Sequence, residues 1–340
     1  MTGDFTSIPV VDIAPLYDGD GTSRHTVDEA IGGACCDIGF FVVTGQSSAA
    51  RLDETRRSRL LAFLDCTREV KWPIARRKYE PSNRNIYRGY FPAIDGVLAY
   101  KEGIDIGPEL TPSDPRLSLG HPLLETNLWP PEAVVPGWRS AILDYYAAME
   151  ELGFQLLHAI ARFLALPDDW FDDKFRGGNS TLRLLRYPVR TAASVAGIEE
   201  KILRLHDGKR YEIMTAEHCD SGCLTLLHQD GVGGLQARNR QGDWIDVPAI
   251  DGSVVVNLGD LMQRWTNDLF RATEHRVLGS GQVRESVPFF FEPAVDAVIA
   301  APPGFAERGP GYPPIAYGDY LIEKVQRFPE FSNFLPALGN

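Results

Sequence analysis

The feature that most restricts the fold is a change of rhythm at Asn179. Beyond it, short apolar runs are broken by Gly, Asp and Asn: Leu182 to Tyr187, Cys223 to Leu227, Trp244 to Val247, Val254 to Asn257 and Ser286 to Phe291. Runs this short read as strands, and their close spacing predicts a sandwich or barrel. Before Asn179 the pattern is largely helical. Between Gly137 and Leu166, Ile142, Tyr145, Met149, Leu152, Leu156, Ile160 and Phe163 step by three and four. That spacing predicts one long amphipathic helix backing a sheet. Thr26 to Asp37 and Ser48 to Lys71 are also expected to be helical, and Ile8 to Ile13 and Gly39 to Val43 to be strands. Prolines recur from Gly107 to Pro136, which predicts a long surface loop. The expected fold is mainly β with flanking helices. It has an N-terminal region (1–178) packed on a core (179–300), followed by a C-terminal loop and helix (301–340).

Charge and cysteine content narrow the function. The 46 acidic against 34 basic residues leave a formal charge of −12, which repels phosphate backbones and argues against a nucleic-acid partner. No apolar stretch approaches the length of a membrane span, and Met1-Thr-Gly-Asp-Phe-Thr6 lacks the pattern of a signal peptide. Cys35, Cys36, Cys66, Cys219 and Cys223 are odd in number and lack metal-finger spacing. They read as reduced thiols, which makes the expected compartment the cytoplasm.

Among the seven histidines one arrangement carries chemistry. His218-Cys-Asp220 sets an imidazole and a carboxylate two residues apart, on one face if the segment is a strand. His275 follows after enough chain to cross a sheet and return. Two imidazoles and one carboxylate on one face of an ion leave the other face open, the facial triad of non-haem Fe(II) oxygenases. His206-Asp207 is adjacent, so its side chains would diverge on a strand. His228 lies in reach, but Gly222 is expected to break the register and leave it a packed histidine. Around His275, Gly259 to Val277 reads as a turn, an apolar strand, an Asn-Asp turn and a second strand ending in His-Arg-Val. Arg284-Glu-Ser286 then places a guanidinium and a hydroxyl on one face, a fork suited to a carboxylate.

In these residues the chain resembles the isopenicillin N synthase-like family of Fe(II)/2-oxoglutarate-dependent oxygenases. The likeness runs through Ile8-Pro-Val-Val-Asp12, Gly39-Phe-Phe41, Arg88-Gly-Tyr90, Lys101-Glu-Gly-Ile-Asp105 and Asn127-Leu-Trp-Pro130. It continues through Arg186-Tyr-Pro188, His218-Cys-Asp220, Leu224-Thr-Leu-Leu227, Gln229 to Gln236, Gly259 to Val277 and Arg284-Glu-Ser286. The resemblance implies a distorted double-stranded β-helix, or jelly roll, with Fe(II) on His218, Asp220 and His275. It also implies 2-oxoglutarate and O2 as cosubstrates, the remote carboxylate of 2-oxoglutarate on Arg284 and Ser286 with help from Tyr187, and a substrate-stacking position at Phe290. A core aromatic is an equal reading of Phe290.

Three positions depart from the family pattern. Leu185 stands where an Asn is frequent, and His228 where a Leu is usual. The stretch from Pro188 to His218 is long and carries a basic island of Arg190, Lys201, Arg204, Lys209 and Arg210, read as a solvated helix and turn or as a lid. The expected activity is 2-oxoglutarate-coupled oxidation of a small molecule by hydroxylation, desaturation or cyclisation. Two alternatives stay open: an oxidase of the same fold that uses no 2-oxoglutarate, and a catalytically silent metal-binding module.

Overall fold

The computed structural model describes residues 5–307, 309–326 and 331. Thirteen strands in two sheets make the core. In chain order they are β1 (Val10–Asp12), β2 (Phe40–Thr44), β3 (Gly89–Phe91), β4 (Glu102–Ile106), β5 (Thr181–Tyr187), β6 (Leu203–His206), β7 (Lys209–His218), β8 (Leu224–Gln229), β9 (Leu235–Arg238), β10 (Trp244–Asp246), β11 (Val254–Leu258), β12 (His275–Leu278) and β13 (Arg284–Phe291). The larger sheet runs β1-β2-β11-β8-β13-β5-β4-β3 and the smaller β10-β9-β12-β7-β6. β1 and β2 pair in parallel and the other neighbours antiparallel, a jelly roll with helices on one side.

Strand alternation sorts the large sheet into two faces. On β13, Val287, Phe289 and Phe291 join the outer apolar cluster, against which the helix Trp138–Phe163 packs through Ile142, Met149, Leu152 and Leu156. Each such buried side chain contributes about 1.5–3 kcal/mol relative to exposure. Arg284, Ser286, Pro288 and Phe290 point the other way, into the space between the sheets. Register extends that inner face to Thr181, Leu185 and Tyr187 on β5, Thr225 and Gln229 on β8, and Asn257 on β11. A second apolar cluster lines it, with Phe40, Phe91, Leu185, Tyr187, Met214 and Val277.

Several expectations are corrected. Asp260–Trp265 is a helix, not an apolar strand: Leu261, Met262 and Trp265 bury one helical face, and Gly259 is its N-cap. His275 opens β12 instead of sitting near a strand end. The helix expected over 48–71 begins only at Glu54, where Asp53 caps it by accepting the Arg56 N–H, and it breaks at Ala62 into a 3-10 turn. The segment 107–136 is irregular but not superficial, because Leu110, Leu123, Leu124 and Asn127 are buried. The basic island is no helix: β6 and β7 form a hairpin turning at Asp207 and Gly208, both at positive φ. Of the expected C-terminal loop and helix, the described part holds a helix at Tyr317–Val325. Residues 308, 327–330 and 332–340 lie outside the described chain.

Candidate metal centre

The hairpin strand β7 ends at His218, and Asp220 sits two residues on in the loop before β8, so the two do not share a strand. β12 pairs with β7 so that His275 lies opposite His218. Ligand atoms of His218, Asp220 and His275 all lie within 4.8 Å of one another. Asp220 Oδ1 is 3.5 Å from His218 Nε2 and 3.7 Å from His275 Nε2.

Neighbouring groups orient all three. His218 Nδ1 donates to the Ala216 carbonyl at 2.8 Å and His275 Nδ1 to the Thr273 carbonyl at 3.1 Å. A carbonyl only accepts, so each Nδ1 carries the proton and each Nε2 presents its lone pair. Asp220 Oδ2 accepts from Thr225 Oγ1 at 2.5 Å and from Asn257 Nδ2 at 2.8 Å, which leaves Oδ1 for the imidazoles. Phe40 packs edge-on to His275, ring centroids 5.3 Å apart. Burial, reinforced by His218, lowers the His275 pKa to about 4, so the ring is neutral at pH 7. Burial opposes ionisation of Asp220, but the imidazoles and the Thr225 hydroxyl outweigh it and hold the carboxyl below the usual range. Two imidazole nitrogens and a carboxylate oxygen on one side of a common point fit a divalent iron.

Behind the centre, Gly222 approaches Glu292 so closely that a Cβ there would overlap Glu292 Oε1. The Cys223 N–H donates to Glu292 Oε2 at 3.2 Å. Glu292 therefore braces the loop that carries Asp220. Thr225, Asn257 and Glu292 were not singled out from sequence. The polar Asn closing the Val254-Val-Val-Asn257 run was the signal available.

Along the same inner face, Arg284 and Ser286 are buried on β13, with Tyr187 opposite Arg284. Arg284 Nε donates to the Gly233 carbonyl at 3.0 Å and Nη2 to Gln229 Oε1 at 3.3 Å. Its guanidinium carbon lies 5.2 Å from the Tyr187 ring centroid. Burial raises the Tyr187 phenol, but Lys101, Arg284 and the Thr215 and Ser286 hydroxyls outweigh it, and its pKa falls below the ordinary value. This end of the face is electropositive. Leu185 packs with Phe91 and Tyr187 in the apolar cluster. His228 is buried on the outer side of β8, where its Nε2 hydrogen-bonds the Leu52 carbonyl at 2.8 Å. Phe290 is half-buried on the inner face, paired with Thr225 and Thr181.

With this geometry in place, comparison with known proteins is direct. Residues 184–293 match the 2OG-Fe(II) oxygenase superfamily, and residues 8–132 match the "non-haem dioxygenase in morphine synthesis N-terminal" family. A 2-oxoglutarate-Fe(II) type oxidoreductase (hxnY) of Emericella nidulans is 33% identical over 93% of this chain and 88% of its own. The chain belongs to the 2OG-Fe(II) oxygenase superfamily. This oxygenase is also 31% identical to an isopenicillin N synthase of Streptomyces clavuligerus, over 92% of this chain and 93% of that one. Among solved structures, it is similar to a full-length Neurospora crassa protein crystallised in complex with alpha-KG and thymine. The TM-score is 0.76 and the identity 26%, over 95% of this chain and 98% of that one. It is a non-haem iron dioxygenase, with Fe(II), 2-oxoglutarate and O2 as its cofactors. Among the described residues no helix is long and apolar enough to cross a membrane, and all five cysteines are free.

Proposed function

We propose that this oxygenase hydroxylates a small-molecule metabolite or natural product, with iron on His218, Asp220 and His275 and the distal carboxylate of 2-oxoglutarate on Arg284, Ser286 and Tyr187. The observation that carries this reading is the shared inner face. Thr225 on β8 and Asn257 on β11, which hold Asp220 of the convergent N,N,O triad, share the inner face of the larger sheet with the buried guanidinium of Arg284 on β13. When bound, the iron, 2-oxoglutarate and O2 supply oxidation of a C–H bond coupled to release of succinate and CO2. The protein's own part is orientation and exclusion of water. The Ala216 and Thr273 carbonyls fix the two imidazole tautomers, while Thr225 and Asn257 turn one oxygen of Asp220 inward. Arg284 offers a planar fork to a carboxylate, and Tyr187 adds a phenol polarised by the surrounding cations.

In this reading residues 179–300 are the catalytic core, 1–178 an N-terminal region packed on it and 301–340 a C-terminal loop and helix, and Phe290 is a stacking surface for the substrate. The thymine complex of the Neurospora crassa protein supports a small-molecule substrate class, and a cytoplasmic setting suits five free thiols. The isopenicillin N synthase relative favours a second reading, an oxidase that takes all its electrons from the substrate. Succinate measured with and without 2-oxoglutarate separates the two. Substrate-dependent succinate formation supports the oxygenase, and substrate turnover without 2-oxoglutarate supports the oxidase.

A further inference from the structure

Two of the three iron-site residues are placed by sheet register: His218 ends β7, and His275 opens β12 opposite it. Asp220 has no such support, because it lies in the loop between β7 and β8 with Gly222 two residues on. A loop of this kind keeps one shape only when its main-chain groups find partners. Each carbonyl from Asp220 to Cys223 does. The Asp260 N–H donates to the Asp220 carbonyl at 2.7 Å, the Leu261 N–H to that of Gly222 at 3.1 Å and the Gly259 N–H to that of Cys223 at 3.0 Å. These donors are the cap and first turn of the helix Asp260–Trp265, whose N–H groups have no partner within the helix. The Ser221 carbonyl is met by a side chain: Tyr320 Oη donates to it at 3.1 Å, from 99 residues further along the chain.

Tyr320 belongs to the helix Tyr317–Val325, which is closely seated. Tyr317, Tyr320, Leu321 and Val325 are buried in the outer apolar cluster. A Cβ at Gly318 would lie 2.3 Å from His121 Nε2 and 2.8 Å from the Val295 carbonyl oxygen, so a side chain there would push the first turn away. The last turn makes a second contact, in which Lys324 Nζ donates to Asp260 Oδ2 at 2.6 Å. Asp260 is the residue whose N–H holds the Asp220 carbonyl. The helix thus reaches the Asp220 loop twice, directly through Tyr320 and indirectly through Asp260. Tyr320 is buried, whereas the Lys324 and Asp260 side chains are 21% and 35% exposed, so the hydroxyl contact is the stronger of the two.

We propose that Tyr320 is a positioning residue for the iron. Through the Ser221 carbonyl it holds Asp220 in its ligating place, with Lys324 assisting through Asp260, and it makes iron affinity depend on the docking of the helix Tyr317–Val325. The assignment rests on His218, Asp220 and His275 being the iron site. Such coupling is reciprocal: a docked helix favours iron, and bound iron favours the docked helix.

The test uses full-length protein, treated with chelator and titrated anaerobically with Fe(II) by calorimetry, as wild type, Tyr320→Phe and Ile160→Val. Tyr320→Phe removes one hydroxyl and keeps the ring. Its Kd for Fe(II) is expected to rise about ten-fold, the low end of what losing a group that orients a metal ligand costs. Ile160→Val trims a buried side chain on the helix Trp138–Phe163, lowers stability by a similar amount and is expected to leave that Kd unchanged. Amide hydrogen exchange supplies a second readout: Fe(II) should slow exchange across Tyr317–Val325 in the wild type and slow it less in Tyr320→Phe. An unchanged Kd in Tyr320→Phe, an equal rise in Ile160→Val, or equal slowing of exchange in wild type and Tyr320→Phe overturns the proposal and leaves Tyr320 a support of the fold alone. Lys324→Met, at a partly exposed position, decides the matter if Tyr320→Phe folds poorly. A Kd raised about two- to five-fold there upholds the proposal, and an unchanged Kd overturns it. If wild-type protein binds Fe(II) no more tightly than His218→Ala does, the iron-site reading itself falls, a result distinct from all of these.

Discussion

Replacing Glu292 by Gln isolates one buried carboxyl and yields a number. Burial is the main force on this group; the Cys223 N–H, Tyr317 and Arg88 oppose it, the charge of Asp220 adds to it, and the pKa is pushed up to about 8 from an ordinary 4.5. In the folded protein Glu292 therefore keeps its proton through a window in which the unfolded chain has already lost it. Stability from this group is fully present below about pH 4.5 and is lost as pH rises through about 8. At about 1.4 kcal/mol per pH unit, the loss between about pH 5 and pH 8 comes to about 3–4 kcal/mol. Gln has the same shape and does not titrate. His275 works in the opposite direction: its lowered pKa, about 4, makes stability rise with pH up to the ordinary histidine value near 6.5. That contribution is common to both proteins and cancels in their difference. The assay is urea denaturation of chelator-treated wild type and Glu292→Gln across this range. The stability of the wild type relative to the variant should fall by about 3–4 kcal/mol. Parallel curves would falsify the claim that Glu292 is held protonated behind the Asp220 loop.

His218→Ala and Asp220→Ala should each abolish iron-dependent succinate formation while circular dichroism stays native, because both residues are partly exposed and their loss opens no cavity in the apolar core; wild-type turnover in either counts against the iron site. Arg284→Ala should raise the KM for 2-oxoglutarate by roughly 30-fold to several thousand-fold, the equivalent of about 2–5 kcal/mol for losing one partner of a buried charge pair. An unchanged KM removes Arg284 from the anchor. Gly222→Ala forces a methyl group into Glu292 and should cost about 1–3 kcal/mol in stability. Adding Glu292→Ala should recover most of that loss in thermal denaturation, and no recovery would mean the clash lies elsewhere.

Local pattern carried much of the fold. The helix Trp138–Phe163 is legible because its apolar positions keep a period of 3.6 over many turns, and the strands β5, β8, β11 and β13 because they are short apolar runs bounded by Gly, Asp, Asn or Pro. The helix Asp260–Trp265 was not, since six residues with three apolar positions fit either period. The β6–β7 hairpin was missed because its strands are charged and largely solvated, although Asp207-Gly208 is a hairpin signal. At the site, His-x-Asp was visible as a pair of the right chemistry, and the Arg-x-Ser spacing put two side chains on one face.

The sequence by itself determined which residue types could hold iron and a keto acid, and in what order along the chain, because donor chemistry and strand alternation are local properties. Tertiary structure decided that His275 meets His218 across β12 and β7, and that Thr225 and Asn257 grip the far oxygen of Asp220. It also decided that Arg76, Asp105 and Arg183 gather beside Phe290. Those contacts depend on sheet register between segments far apart in the chain, and register is set by how the whole inner face packs.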